Sequence, residues 1–173
     1  MSAGIVSASP VPGTRKVNVG IAALAVSADP AVLLMTHALG SCVGVAIHDA
    51  TAKVAGLLHV QLPDSKVDPA KAVRQPAMFV DTALPKLFRD AYALGAKKER
   101  LIVKIAGGAS FAHGGRDVNR IGARNVAAVR QMLMRNRVLV RRAEVGGNIP
   151  RTLALHVGTG DLLLMDERGE RKL

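Results

Sequence analysis

Apolar positions recur along the chain at two spacings. Val17, Val19, Ile21, Ala23 and Ala25 alternate with smaller or polar residues, the period of two that marks a strand. Short β-like runs follow at 32–35, 43–47 and 54–62, so four strands are expected to open the fold. A polar stretch over 63–75 gives way to a helical period, in which Val80, Leu84, Leu87, Phe88, Ala91 and Leu94 share a face closed by Gly95. Pro85 lies inside this pattern, where it removes a backbone donor and crowds the preceding turn. A kink, or two short helices meeting there, is expected.

A strand is predicted over 101–106, followed by a flexible loop running from Gly107-Gly108-Ala109-Ser110 to His113-Gly114-Gly115. Asp117 or Asn119 offers a cap for a second helix. That helix would place Val118, Gly122, Asn125, Val126, Val129 and Leu133 on one face and Arg116, Arg120, Arg124 and Arg135 on another. Three more strands, 138–145, 152–157 and 162–165, are separated by the turn signals Gly146-Gly147-Asn148 and Gly158-Thr159-Gly160-Asp161. Strand-rich ends around two helices do not give the regular alternation of a doubly wound parallel sheet, so the expected class is α+β, a layered sandwich. Residues 1–15 read as a flexible tail, 16–166 as a single domain and 167–173 as a polar terminus.

Composition narrows the chemistry. The chain has 173 residues and one cysteine, so an internal disulfide is excluded and a reducing cytosol is the natural setting. There is no Trp, one Tyr and three Phe, which leaves few stacking platforms for single-stranded nucleic acid. A formal charge of +11 predicts attraction to an acidic partner, whether nucleic acid, an anionic membrane face or a Glu-rich protein. Two membrane signals are imperfect. The charge-free stretch 30–48 is interrupted by Thr36-His37 and Gly40-Ser41, and the signal-like run after Arg15-Lys16 starts late and carries Asn18 and Gly20. A cytoplasmic protein without integral membrane association is expected.

The lone thiol, Cys42, sits in Leu39-Gly40-Ser41-Cys42-Val43-Gly44, among small residues that keep sulfur approachable. Such a cysteine either packs as a small hydrophobe or acts as a nucleophile, and a nucleophilic one needs a nearby imidazole. His59, a polar ring in the apolar run before Pro63, is the best candidate on the chain. A short connection through Asp49 would return 54–62 antiparallel beside the strand after Cys42. Backbone amides near Gly40, Ser41 and Cys42 are candidate oxyanion donors, and Gly107, Gly108 and Ser110 belong to a loop that would close over the thiol. His37 is a rival base and His113 a candidate pocket residue. The five histidines show no paired short spacing, so no metal site and no cofactor are expected. Gly107-Gly108-Ala109-Ser110 lacks the ending of a phosphate loop.

Several separated motifs together resemble the CheD family of chemoreceptor glutamine deamidases. They are Leu39-Gly40-Ser41-Cys42-Val43 with Asp49, His59 with Leu62-Pro63, Asp81-Thr82-Ala83, Lys104 with Gly107-Gly108-Ala109-Ser110, Ile121-Gly122 with Arg124-Asn125, and Gly146-Gly147-Asn148 with Arg151. The resemblance runs from about residue 17 to 165. It implies an α/β/β sandwich akin to the Cys-His deamidating toxins, with Cys42 as nucleophile, His59 as general acid and base, and Thr36 orienting His59. It further implies hydrolysis of receptor glutamine amides, with glutamyl methyl ester hydrolysis as a second reaction. The implied partners are the cytoplasmic domains of methyl-accepting chemoreceptors and the CheC phosphatase, for which this chain would alternatively be chiefly a regulatory ligand. Phe79, where the family leads one to expect tyrosine, and His37 beside the site are departures. A nucleic-acid-binding role rests on charge alone. The segment 116–142, with eight arginines and a single acid, Asp117, is the expected docking region for an acidic protein.

Overall fold

The runs at 43–47 and 54–62 are apolar at nearly every position because the strands they form are covered on both faces. In the computed structural model, which describes residues 13–111 and 120–173, β4 (Val43–Asp49) and β5 (Val54–Val60) are buried throughout. They pair antiparallel at the centre of a sheet of order β2-β5-β4-β6-β7, completed by β2 (Ala23–Ser27), β6 (Ile102–Gly107) and β7 (Val140–Val145). One face of this sheet carries Val43, Val45, Ile47, Val54, Leu58 and Val60. These pack with Leu84 and Leu87 of α2 (Val80–Ala93) and Val129 and Leu133 of α3 (Ile121–Arg135). The other face carries mainly small residues, Ala46, Ala55 and Ala106 with Leu57, which let a second sheet approach.

That second sheet has the order β1-β3-β8-β9-β10, from β1 (Arg15–Asn18), β3 (Val32–Leu39), β8 (Arg151–His156), β9 (Leu162–Asp166) and β10 (Gly169–Lys172). Its Leu34, Leu39, Leu153, Leu155, Leu162 and Leu164 fill the space between the sheets. Two cores therefore define three layers, helices on sheet on sheet, and the mixed α+β class expected from the pattern is the one observed. Among the described residues no helix is long and apolar enough to cross a membrane.

Four local expectations are corrected. The alternating run 17–25 is two strands in different sheets, because the chain crosses between them: Val19 N–H bonds to Met35 O in one sheet and Ala22 N–H to His59 O in the other. Ala22 makes the turn at φ 56°. Pro85 lies within one continuous helix, the two-helix alternative being overturned. The packing of Leu84 and Leu87 on β5 holds the helix through the missing bond. The polar stretch 63–75 contains α1 (Pro69–Arg74), begun by Asp68, which accepts from Lys71 N–H, and by Pro69 in the first turn. The polar terminus contains β10, which pairs antiparallel with β9. The proposed caps Asp117 and Asn119 lie outside the described residues, and the residue at the N-cap of α3 is Arg120, at φ 45°.

Candidate functional site

Thr36 on β3 and His59 on β5 belong to opposite sheets, and both are fully buried. They share the inter-sheet faces with Leu34 and Leu57, two residues away on their strands. Thr36 Oγ1 lies 2.7 Å from His59 Nδ1 and 2.7 Å from the carbonyl oxygen of Val19. A hydroxyl has one proton, and a carbonyl only accepts. Thr36 therefore donates to Val19, and the ring donates its Nδ1 proton to Thr36. This fixes the tautomer of neutral His59, whose lone pair then sits on Nε2. That atom is buried and has no hydrogen-bond partner among the described residues. Burial also lowers the pKa of the ring to about 4, because the imidazolium form loses its hydration.

Cys42 ends the link that carries the chain from β3 to β4, and so from one sheet to the other. The register Val43↔Val60 and Gly44↔His59, continued by one residue, sets Cys42 diagonally across from His59 on the same face. The residue is half-buried against the inter-sheet core. Burial pushes its thiol pKa up, and its own backbone N–H acts in the opposite direction on the sulfur. The site at rest is thus a thiol and a neutral imidazole.

Successive carbonyls of the link are tied down. Gly40 O accepts from Ala109 N–H at 2.8 Å, Cys42 O from Gly108 N–H at 2.7 Å, and Ser41 O from Asn125 Nδ2 at 2.9 Å. Trans peptides turn the following N–H groups, those of Ser41 and Cys42, away from these bonds. Neither donates to a backbone carbonyl among the described residues. Gly107 and Gly108 take φ values of 106° and 65°, and a side chain on Gly107 would run into Cys42 O. Gly107 O accepts from Gly146 N–H at 2.9 Å and lies 3.5 Å from Arg151 Nη1, while Ser110 N–H bonds to Gly147 O. The expectation of a flexible loop is corrected for 107–110, since these hydrogen bonds and the burial of Gly107, Gly108 and Ala109 hold it in place.

Thr36, Gly40, Ser41, Cys42, His59, Gly107 and Gly108 are therefore gathered at one end of the sandwich, with Ser110 attached through its backbone. His37 is not: it is exposed, next to Thr36 on a strand whose neighbouring side chains alternate in direction. His113 lies outside the described residues. His48 stands at the far end of β4, its Nε2 3.2 Å from Val157 O. No group of three or more His, Cys, Asp or Glu fit to hold a metal occurs among the described residues. Sequence reasoning missed the Val19 carbonyl, because any residue supplies one. It also missed Gly44, where a β-carbon would approach Leu153 Cδ1 to 2.7 Å and Leu39 Cδ1 to 2.8 Å, directly opposite His59.

A free thiol beside an imidazole whose tautomer is set by a hydroxyl makes this a candidate thiol-dependent hydrolase. The family described as CheD chemotactic sensory transduction matches residues 61–166. The chain is 44% identical over 155 residues to the probable chemoreceptor glutamine deamidase CheD 1 of Syntrophus aciditrophicus, covering 88% of this chain and 95% of that one. It is 40% identical over 159 residues to the corresponding protein of Solibacter usitatus, covering 92% and 94%. It belongs to the CheD family. Among solved structures, the Neisseria meningitidis protein NMB0706 aligns with a TM-score of 0.43 at 10% identity, covering 79% of this chain and 64% of that one.

Proposed function

We propose that this protein is a cytoplasmic chemoreceptor glutamine deamidase that uses Cys42 as nucleophile, His59 as general base and acid, and Thr36 to orient the ring. The observation that carries this reading is the unpartnered Nε2 of His59, held as a lone pair by the Thr36 bond on the face it shares with Cys42.

As sulfur attacks the glutamine side-chain carbonyl, the thiol proton passes to Nε2 and a carbon–sulfur bond forms. The amide N–H groups of Ser41 and Cys42 stabilise the resulting oxyanion. Collapse breaks the carbon–nitrogen bond, and Nε2–H protonates the leaving nitrogen, which departs as ammonia. Water then attacks the thioester and gives its proton to Nε2. The carbon–sulfur bond breaks, the thiol is restored, and glutamate is released. Resting as a neutral thiol and a neutral imidazole, the pair avoids holding separated charges inside an apolar layer between turnovers. With methanol as leaving group the same steps hydrolyse a glutamyl methyl ester.

Support for receptors as substrate comes from the names of the relatives, and the exposed arginines of α3, which form no ion pair among the described residues, suit an acidic helical partner. The CheC phosphatase belongs to the same reading as a partner, for which this chain would alternatively act as a regulatory ligand, and the layer order agrees with kinship to the Cys-His deamidating toxins. The test is incubation with a receptor cytoplasmic domain and peptide mass analysis. The wild type should convert specific glutamines to glutamate, and Cys42→Ala should abolish the conversion. His59→Ala should slow it by roughly a hundredfold or more. Full activity of Cys42→Ala would end the proposal.

A further inference from the structure

Asn125 is fully buried on the first turns of α3, a polar residue in the stripe of Gly122, Val129 and Leu133 that the helix buries. Its Nδ2 donates at 2.9 Å to Ser41 O, the residue before the thiol, and at 2.9 Å to Gln61 O, two residues after the imidazole. One side-chain amide thus joins the two chain segments that carry Cys42 and His59. It approaches from the α3 side of the sheet, because Val43 and Val60, adjacent to these segments, face the helices. The helix is brought this close by two glycines. A β-carbon on Gly122 would collide with the carbonyl oxygens of Gly108 and Ala109, and one on Gly108 with Val126. Gly108 and Ala109 are in turn the residues whose N–H groups hold Cys42 O and Gly40 O.

We infer that Asn125 is a positioning residue for the Cys42–His59 pair, acting on their alignment through the backbone and not on substrate. This rests on the proposed thiol chemistry. The link from β3 to β4 enters from the other sheet, so the β4–β5 ladder does not fix Ser41 and Cys42, which precede its first paired residue. Together with the N–H groups of Gly108 and Ala109, the Asn125 bridge supplies the constraint that the ladder lacks, and of the three it alone also holds Gln61 O. Two backbone acceptors on one NH2 group demand a double donor at this length, which an aspartate does not provide and a serine provides only once.

The test is the rate of Cys42 alkylation by iodoacetamide across pH, with deamidation followed in parallel. Asn125→Ala should lower kcat for deamidation by about tenfold to a hundredfold with KM nearly unchanged, the mark of lost alignment. It should also change the pH profile of alkylation. Asn125→Ser, which keeps one donor, should fall between wild type and alanine, and it serves where the alanine variant does not fold. In a double-mutant cycle, Asn125→Ala should add little to the alkylation change caused by His59→Ala, since both act through one pair. Additive effects, or an unchanged alkylation profile in a folded Asn125 variant, would overturn the inference. Asn136→Ala is the control: its Nδ2 bonds Met132 O at the far end of α3, and it should lower melting temperature without changing the profile. Alkylation requires no turnover, so a wild type that alkylates normally but releases no ammonia would count against the proposed function and leave the clamp to be judged by the cycle.

Discussion

At the scale of single residues, the site depends on one proton. Thr36→Val removes both the donor to Val19 O and the acceptor for Nδ1–H, freeing the ring to rotate or change tautomer. Deamidation should fall by about a hundredfold while Thr36→Ser retains most of it, read as kcat at saturating substrate. The low pKa of His59 has a second consequence. Its folded value of about 4 lies below the ordinary 6.5, so the unfolded chain takes up the proton first as pH falls. Stability should therefore be lost between pH 6.5 and about 4, by at most about 3 kcal/mol, and that loss should level off below the folded value. Urea unfolding of the wild type and His59→Gln at pH 7, 5.5 and 4 isolates this contribution from that of His48, whose burial also lowers its pKa. A lone thiol, and a ring within the apolar run before Pro63, made Cys42 and His59 legible in the sequence. Thr36 was reached through family resemblance alone. The Val19 carbonyl and the two hydrogen bonds donated by Asn125 were not legible, since backbone acceptors have no residue type.

At the scale of elements, the inter-sheet spacing is set by what the facing positions lack. Gly44→Ala puts a methyl group between Leu39 and Leu153, opposite His59, where close packing leaves no room. Loss of about 1 to 3 kcal/mol is expected in chemical denaturation, with slower Cys42 chemistry as the sheets separate at the site. Gly108→Ala combines a left-handed backbone with a collision against Val126, and should cost at least as much. Helices α2 and α3 and the central strands were readable because their burial imposes period. The break between β1 and β2 was not, because Val19 and Ala23 satisfy the alternation of one strand while belonging to two sheets. Nor was β10, whose Gly169-Glu170-Arg171-Lys172 owes its place to Asp166: this buried carboxylate on β9 binds Arg171 at 2.9 Å and Arg168 at 3.1 Å. Those two arginines outweigh the cost of burial and hold its pKa well below the usual carboxylate range.

At the scale of the whole molecule, the excess of positive charge is distributed unevenly. The ion pairs of the described residues engage Arg15, Lys86, Arg100, Arg168, Arg171 and Lys172. None engages Arg124, Arg130 or Arg135, which stand exposed along α3, or Arg141 and Arg142 on β7. Arg124 and Arg135, with Met132 and Met134, border a shallow groove that runs from the helix to Pro63 and Asp81, just past the end of β5. Because Arg124 adjoins Asn125 at the start of α3, a protein held along these arginines would reach the end of the sandwich that carries Cys42. Long-range attraction between exposed charges is screened by salt, whereas the buried site is not. Raising ionic strength should therefore raise KM for a receptor domain and leave Cys42 alkylation unchanged. Arg124→Glu, Arg130→Glu and Arg135→Glu combined should raise KM by about tenfold at low salt with kcat preserved, and should flatten the salt dependence. If the triple variant lowered kcat and slowed alkylation as well, the arginines would be acting on the site itself, and substrate capture would need another surface.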